Sequence, residues 1–281
     1  MAREENEAYH AVGDLNVIKV CLAGATGWAG SELARSIART GDLRLVASIS
    51  RTHAGRSLGD VLGEPRLSCP VYASAAEALA HPCDVFVDYT KPESAKAHIL
   101  AALSARAHVV VGTSGLTDAD FADLDIVARQ QQRAVLACGN FALTAVLLQR
   151  FAEMAAKLIP QWEIIDYAHD DKRDVPSGTV RELAARLAKV RPPEPTFPVG
   201  ESVGPRETRG ATLAGSQVHS VRLPGFVISA EVLFGMPDQR LSIRHDSGGS
   251  ARPYVEGALL AIRKVSTLVG VHRGLDSVLE F

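Results

Sequence analysis

Short apolar runs alternate with amphipathic stretches through the first half of the chain. Residues 17–23 form the first run, and SELARSIART follows with helical spacing and Gly41 as its stop. Leu43–Ile49 is a second run. A brief strand near Val71 precedes a helix opened by a Ser74…Glu77 capping box. The strand at 84–89 leads to a helix with Pro92 in its first turn, reaching about Arg106. His108–Val111 and Ala134–Ala137 are further strands, with a helix over about 118–131 between them. This alternation predicts an α/β fold built on a mostly parallel, doubly wound sheet.

The pattern then changes. A helix with an apolar stripe spans about 143–158 and links to a strand around Ile164 and Ile165. A charged turn from Asp170 to Asp174 follows, and a helix runs from Ser177 to about Lys189. Residues 191–210 hold too much proline and glycine for a core element and read as a long surface loop. Strand-like runs at 217–223, 227–234 and 240–246 come without helices between them. They predict an antiparallel or mixed sheet whose broad face suits a dimer or tetramer. A helical pattern over 254–268 and a tail ending near Leu279 complete the chain.

The turns of the first half carry chemistry. GATGWAG lies between strand and helix, the context of a dinucleotide fingerprint. Gly24, Gly27 and Gly30 let the backbone approach a pyrophosphate, with Ala25, Thr26, Trp28 and Ala29 completing the turn and helix start. The same glycine spacing also occurs in α/β folds that hold no nucleotide. At the end of the second strand stand Ser50 and Arg51. A carboxylate there would bond the ribose 2′-hydroxyl of NAD and repel a 2′-phosphate. A hydroxyl and a guanidinium favour NADPH over NADH, unless Arg51 is merely solvated like its neighbour Arg56.

Ligands of doubly wound sheets sit beyond the carboxyl ends of the strands. Thr90, the Gly112–Thr113–Ser114 turn, and Asn140 with Phe141 should therefore share one crevice with the glycine turn and Ser50–Arg51. Thr90, Thr113 and Ser114 also have ordinary readings as turn residues, and Phe141 as core.

The second half contains EIIDYAHDDKRDVPSGT, from Glu163 to Thr179. Ser177 is a good N-cap, and the backbone N–H groups after it make an anion site. Lys172 is close enough in sequence to serve the same spot. An ordinary strand–loop–helix with a capping serine has the same spelling.

Composition narrows the partners. The chain has 281 residues with 30 basic and 32 acidic side chains, so no global charge draws it to nucleic acid or membrane. No apolar stretch is long enough for a membrane span. Residues 1–16 read as a polar, mobile tail rather than a signal peptide. The four cysteines, Cys21, Cys69, Cys83 and Cys138, are widely spaced, which suits a reduced cytoplasmic protein without a metal site.

K-x-D-x-P-S-G-T after a strand resembles the substrate motif of the dihydrodipicolinate reductase family. D-x-T-x-P at 88–92, G-T-S-G at 112–115 and N-F at 140–141 are similar to that family's D-F-T-x-P, G-T-T-G and N-F, in the same order. HSVRLPG at 219–225 resembles the corresponding hairpin. The resemblance implies a Rossmann-type domain over 17–143 and 253–281. It implies a smaller α+β domain with a mixed sheet over 144–252, serving substrate binding and oligomerisation as a homotetramer or homodimer. The 191–210 loop would help build the subunit contacts.

NADPH, preferred, or NADH would deliver hydride to a cyclic imine with two carboxylates, in lysine and diaminopimelate synthesis. Lys172 would donate the proton and Ser177, Gly178 and Thr179 would grip one carboxylate. His169 would contact substrate as a second catalytic group, and Ser114 would lie near nicotinamide and substrate. The family has a His-His pair before the lysine, and here its first position is Ala168. Two other readings therefore stand beside the lysine-pathway reductase. One is a divergent reductase or amino-acid-type dehydrogenase acting on another carboxylate-bearing or amino-acid-derived imine. The other is a non-catalytic nucleotide-binding protein, against which Lys172 and PSGT argue. A semialdehyde dehydrogenase is rejected, because Cys138 lacks the surroundings of its nucleophile.

Overall fold

The computed structural model describes residues 17–280, and the tail expected over 1–16 lies outside the described residues. Two compact units emerge, one reaching Phe141 and resuming at Tyr254, the other Ala142–Pro253.

In the first unit, strands β1 (Ile18–Ala23), β2 (Leu43–Ile49), β3 (Val71–Tyr72), β4 (Val85–Asp88), β5 (His108–Val111), β6 (Ala134–Ala137) and β12 (Gly270–Arg273) form one sheet. Its order is β12-β6-β5-β4-β1-β2-β3, and every pair is parallel. Chain order departs from β1 in both directions, so the topological switch lies between β1 and β4, where ligands of such sheets bind. β4 is buried at every residue, as expected of a parallel strand covered on both faces.

The helices are α1 (Trp28–Ile37), α2 (Leu58–Leu62), α3 (Ala75–Leu79), α4 (Pro92–Ser104), α5 (Asp118–Gln130) and, after the second unit, α8 (Val255–Lys264). The expected box at Ser74 is only half made. Ser74 Oγ accepts from Glu77 N at 3.3 Å, but the Glu77 carboxylate takes Ala73 N instead. The reciprocal box belongs to α5, between Thr117 and Asp120. Sequence periodicity passed over α2 and β12. Both are too short to show a period, and β12 exists because β6 offers it a parallel edge.

The second unit opens with α6 (Leu143–Ala156) and β7 (Gln161–Ala168), followed by α7 (Gly178–Val190). Residues 191–210 form the expected irregular segment, with two 3-10 turns, Val199–Glu201 and Arg206–Arg209. Strands β8 (Ala211–Leu213), β9 (Ser216–Arg222), β10 (Ile228–Met236) and β11 (Gln239–Ser247) complete a sheet of order β11-β10-β7-β9-β8. It is mixed: β9 runs parallel to β7 and the other pairs are antiparallel.

Period-two alternation buries Trp162, Ile164, Asp166 and Ala168 on one face of β7. Trp162 and Ile164 join Leu183 and Leu187 of α7 in the core of this unit. Among the described residues no helix is long and apolar enough to cross a membrane.

Candidate active site

In the first unit the turn after β1 is held by contact between backbones. Gly24 has φ +82°, and a Cβ there would sit 2.1 Å from Tyr89 O; a Cβ on Gly30 would sit 2.1 Å from Gly24 O. Neither position admits a side chain. Gly27 is the N-cap of α1, in extended conformation, and no side chain caps it. Among the described residues, the first N–H groups of α1 thus show neither intrahelical nor side-chain acceptors, the arrangement a pyrophosphate needs. Ala25 is core, not lining. Thr26 Oγ1 lies 3.1 Å from Ser50 Oγ, which lies 3.3 Å from Thr52 Oγ1, tying the turn to the end of β2. Arg51 is exposed beside this hydroxyl chain, and the residues present fit a dinucleotide.

A buried carboxylate organises the next two loops. Asp88 ends β4 with 0% exposure. Its Oδ1 accepts from Thr90 N at 3.1 Å, Thr90 Oγ1 at 2.8 Å and Thr113 Oγ1 at 2.5 Å. His98 Nδ1 stands 2.8 Å from Oδ2. The Thr113 hydroxyl in turn accepts from Thr90 N at 2.9 Å. Burial alone would raise this carboxyl, but the contacts from His98, Thr113 and Thr90 outweigh it and hold Asp88 below the usual carboxylate range. Sequence reasoning quoted Asp88 within its motif and gave it no role. A carboxylate closing an otherwise apolar, buried strand was the available signal.

These loops border a cleft of about 290 Å³ lined by Trp28, Ala29, Tyr89, Thr90, Gly112, Thr113, Cys138, Gly139, Asn140, Phe141 and Tyr254. Of the expected crevice residues, Trp28, Ala29, Thr90, Gly112, Thr113, Asn140 and Phe141 line it, whereas Gly24, Ala25, Thr26, Gly27, Gly30, Ser50, Arg51 and the exposed Ser114 do not. Tyr89 and Tyr254 were not foreseen. Trp28 and Tyr254 meet edge to face at 5.8 Å, and Tyr89 and Phe141 at 5.7 Å, giving the cleft aromatic walls. Burial raises both tyrosine phenols, so neither ionises near neutrality.

In the second unit the loop from β7 to α7 carries the remaining site residues. Ser177 caps α7, its Oγ accepting from Val180 N at 3.4 Å. The first-turn N–H groups of Gly178 and Thr179 have no intrahelical acceptor. A Cβ on Gly178 would meet nothing nearer than Arg181 Nη2 at 3.8 Å, so glycine leaves that backbone open to a ligand. Lys172 Nζ lies 2.6 Å from Asp174 Oδ1 and holds that exposed carboxyl below its ordinary value. His169 is exposed, with Nδ1 2.7 Å from Asp170 Oδ1 and 3.0 Å from Asp171 Oδ1. Ala168 is 0% exposed, paired with Ile228 and Arg222. The position that the resemblance gives to a histidine is therefore closed by packing.

Residues 18–141 match the family model described as dihydrodipicolinate reductase, N-terminus, and residues 144–279 the one described as dihydrodipicolinate reductase, C-terminus. A 4-hydroxy-tetrahydrodipicolinate reductase of Geobacillus kaustophilus is 38% identical over 264 residues, covering 94% of this chain and 99% of the relative. The enzyme of that name from Oceanobacillus iheyensis is 37% identical, with 93% and 99% covered. A dipicolinate-bound dihydrodipicolinate reductase from a Paenisporosarcina species superposes with TM-score 0.83 at 31% identity, covering 94% of this chain and 100% of that one. An amine dehydrogenase from Mycobacterium smegmatis, at TM-score 0.67 and 16% identity, shares the fold.

Proposed function

Because this chain belongs to the dihydrodipicolinate reductase family, we propose that it reduces 4-hydroxy-tetrahydrodipicolinate to tetrahydrodipicolinate in lysine and diaminopimelate synthesis. It is an oxidoreductase that uses a pyridine nucleotide and a small-molecule substrate. Hydrogen replaces the ring hydroxyl, so one hydride and one proton enter and one water leaves. The nicotinamide, when bound, supplies the hydride.

The chain's own residues bind, orient and protonate. The turn at 24–30 and the open start of α1 receive the pyrophosphate. Thr26, Ser50 and Arg51 meet the adenosine ribose, and the absence of an acid there favours NADPH over NADH. Thr90, Gly112, Thr113, Asn140 and Phe141, with the aromatic walls of the cleft, shape the nicotinamide end, and Ser114 stands by the same loop.

The PSGT helix start, which leaves the N–H groups of Gly178 and Thr179 without an intrahelical acceptor in the loop that carries Lys172, is the observation that supports substrate recognition. Ser177 Oγ and the N–H groups of Gly178 and Thr179 grip a carboxylate, as they suit a planar dicarboxylate such as the dipicolinate of the Paenisporosarcina relative. Lys172 leaves Asp174 for the substrate, neutralises its charge and donates the proton. His169 adds a polar contact. Ala168 offers no enlarged space for a different substituent, because its site is closed. A homotetramer or homodimer formed through the open face of the second sheet fits the half-buried Ile165, Tyr167, Val221 and Leu233 on that face. A cytoplasmic location fits the four cysteines, none of which forms a disulfide.

The test is NADPH oxidation with freshly generated 4-hydroxy-tetrahydrodipicolinate. Lys172→Ala should lower turnover on the order of 10²–10⁴-fold while NADPH affinity holds. Near-normal turnover in that variant would remove the proton-donor role, and an inert wild type would remove the reaction.

A further inference from the structure

The arginine of HSVRLPG has no role in the reaction described so far. Arg222 ends β9 and pairs with Ala168 at the end of β7. Its guanidinium, in a side chain only 14% exposed, reaches five acceptors. Nε donates to Lys172 O at 3.3 Å. Nη1 donates to Asp166 O at 3.3 Å and Val221 O at 3.0 Å. Nη2 donates to Asp174 O and to Asp166 Oδ2, at 2.8 and 2.7 Å. Asp166 is fully buried, and the same Oδ2 also accepts from Ser177 N at 2.9 Å and Ser220 Oγ at 3.3 Å.

We propose that Arg222 and Asp166 are positioning residues that set the distance between the proton donor and the carboxylate grip. The guanidinium holds the carbonyls of Lys172 and Asp174, so it fixes the backbone from which the lysine side chain departs. Through Asp166 it also holds the N–H of Ser177, the residue from which α7 presents its open N–H groups. One planar fork thus ties the two substrate-facing parts of the loop to a single β-strand end. A lysine in its place can pair with Asp166 but cannot span four carbonyls.

The arrangement also differs from a pair optimised for stability. Asp166 Oδ1 is buried without a hydrogen-bond partner among the described residues, while three donors crowd onto Oδ2. Buried ion pairs contribute little net stability; here the geometry is directed at the loop.

This role rests on the substrate assignment above, and the experiment separates the two. Arg222→Lys, Arg222→Gln and Asp166→Asn are compared with wild type for kcat and KM on 4-hydroxy-tetrahydrodipicolinate. Dissociation constants for NADPH and for pyridine-2,6-dicarboxylate are measured alongside, with hydrogen exchange across residues 170–180. Misplacement of the donor should lower kcat per folded molecule on the order of 10–10²-fold and weaken the dicarboxylate. NADPH affinity should stay at the wild-type value, and exchange should quicken in the loop alone. Wild-type kcat and dicarboxylate affinity in Arg222→Lys would overturn the proposal. So would a loss matched by the unfolded fraction. If wild type neither turns over the substrate nor binds the dicarboxylate, the substrate assignment fails; unchanged loop exchange in Arg222→Lys then overturns the positioning role as well.

Discussion

Removing the Asp88 carboxylate should damage stability and cofactor binding together. Three donors converge on Oδ1, and His98 faces Oδ2. A hydrogen bond to an ionised group contributes about 1.5–3 kcal/mol, so the four contacts sum to roughly 6–12 kcal/mol before desolvation. Burying the carboxylate costs several kcal/mol of that, which leaves about 3–5 kcal/mol for Asp88→Ala. For a domain of this size the midpoint should fall on the order of 10 °C.

Asp88→Asn keeps an oxygen for Thr90 and Thr113 and should cost about half as much. Thr90 and Thr113 line the cleft proposed for the cofactor, so Asp88→Ala should also weaken NADPH about tenfold, roughly 1.4 kcal/mol. Urea unfolding and a fluorescence titration with NADPH measure both. The pH dependence has a definite sign. The folded carboxyl is held low, so its stabilisation is present above the unfolded value of about 3.9 and is lost as pH falls through the folded one. Asp88→Asn should flatten that acid limb. An Asp88→Ala protein with wild-type unfolding midpoint and wild-type NADPH affinity refutes the reasoning.

Other outcomes follow from the same geometry. Ala168→His forces an imidazole into a closed site and should cost about 1–3 kcal/mol, with no gain in kcat/KM; a rise in kcat/KM would show that the site opens for substrate. Arg51→Ala should lower NADPH affinity about tenfold and leave NADH unchanged, as paired titrations would reveal; an unchanged preference would mean that Arg51 does not meet the 2′-phosphate. Burial holds His108 and His245 below their ordinary values, with Arg133 adding to the effect at His108. Their contribution is therefore full above about pH 6.5 and is lost as pH falls toward the folded values. Denaturation series above and below that pH should show a decline that His108→Gln with His245→Gln reduces.

Much of the first unit was legible because its signals are local. A parallel strand covered on both faces is apolar almost throughout, so a run such as Val85, Phe86 and Val87 announces itself. The cap at Ser177 depends on a residue three positions away, and the glycine turn on neighbours within one helical turn. The Ser74 box shows the limit of such spelling, since its glutamate found Ala73 N instead.

The amino-acid sequence by itself determined the strand–turn–helix order of the first unit, the change to consecutive strands, and the PSGT helix start with Lys172 beside it. Each depends on contacts within a few residues along the chain. Only the tertiary structure decided that β12 extends the parallel sheet beside β6, that β9 lies parallel to β7, and that Tyr254 walls the cleft with Trp28. It also decided that Ala168 is closed in, that Asp88 gathers Thr113 from 25 residues away, and that Arg222 reaches back across 50 residues to Lys172. Strand partners and the acceptors of a long side chain are chosen by proximity in space, and spacing along the chain carries no record of it.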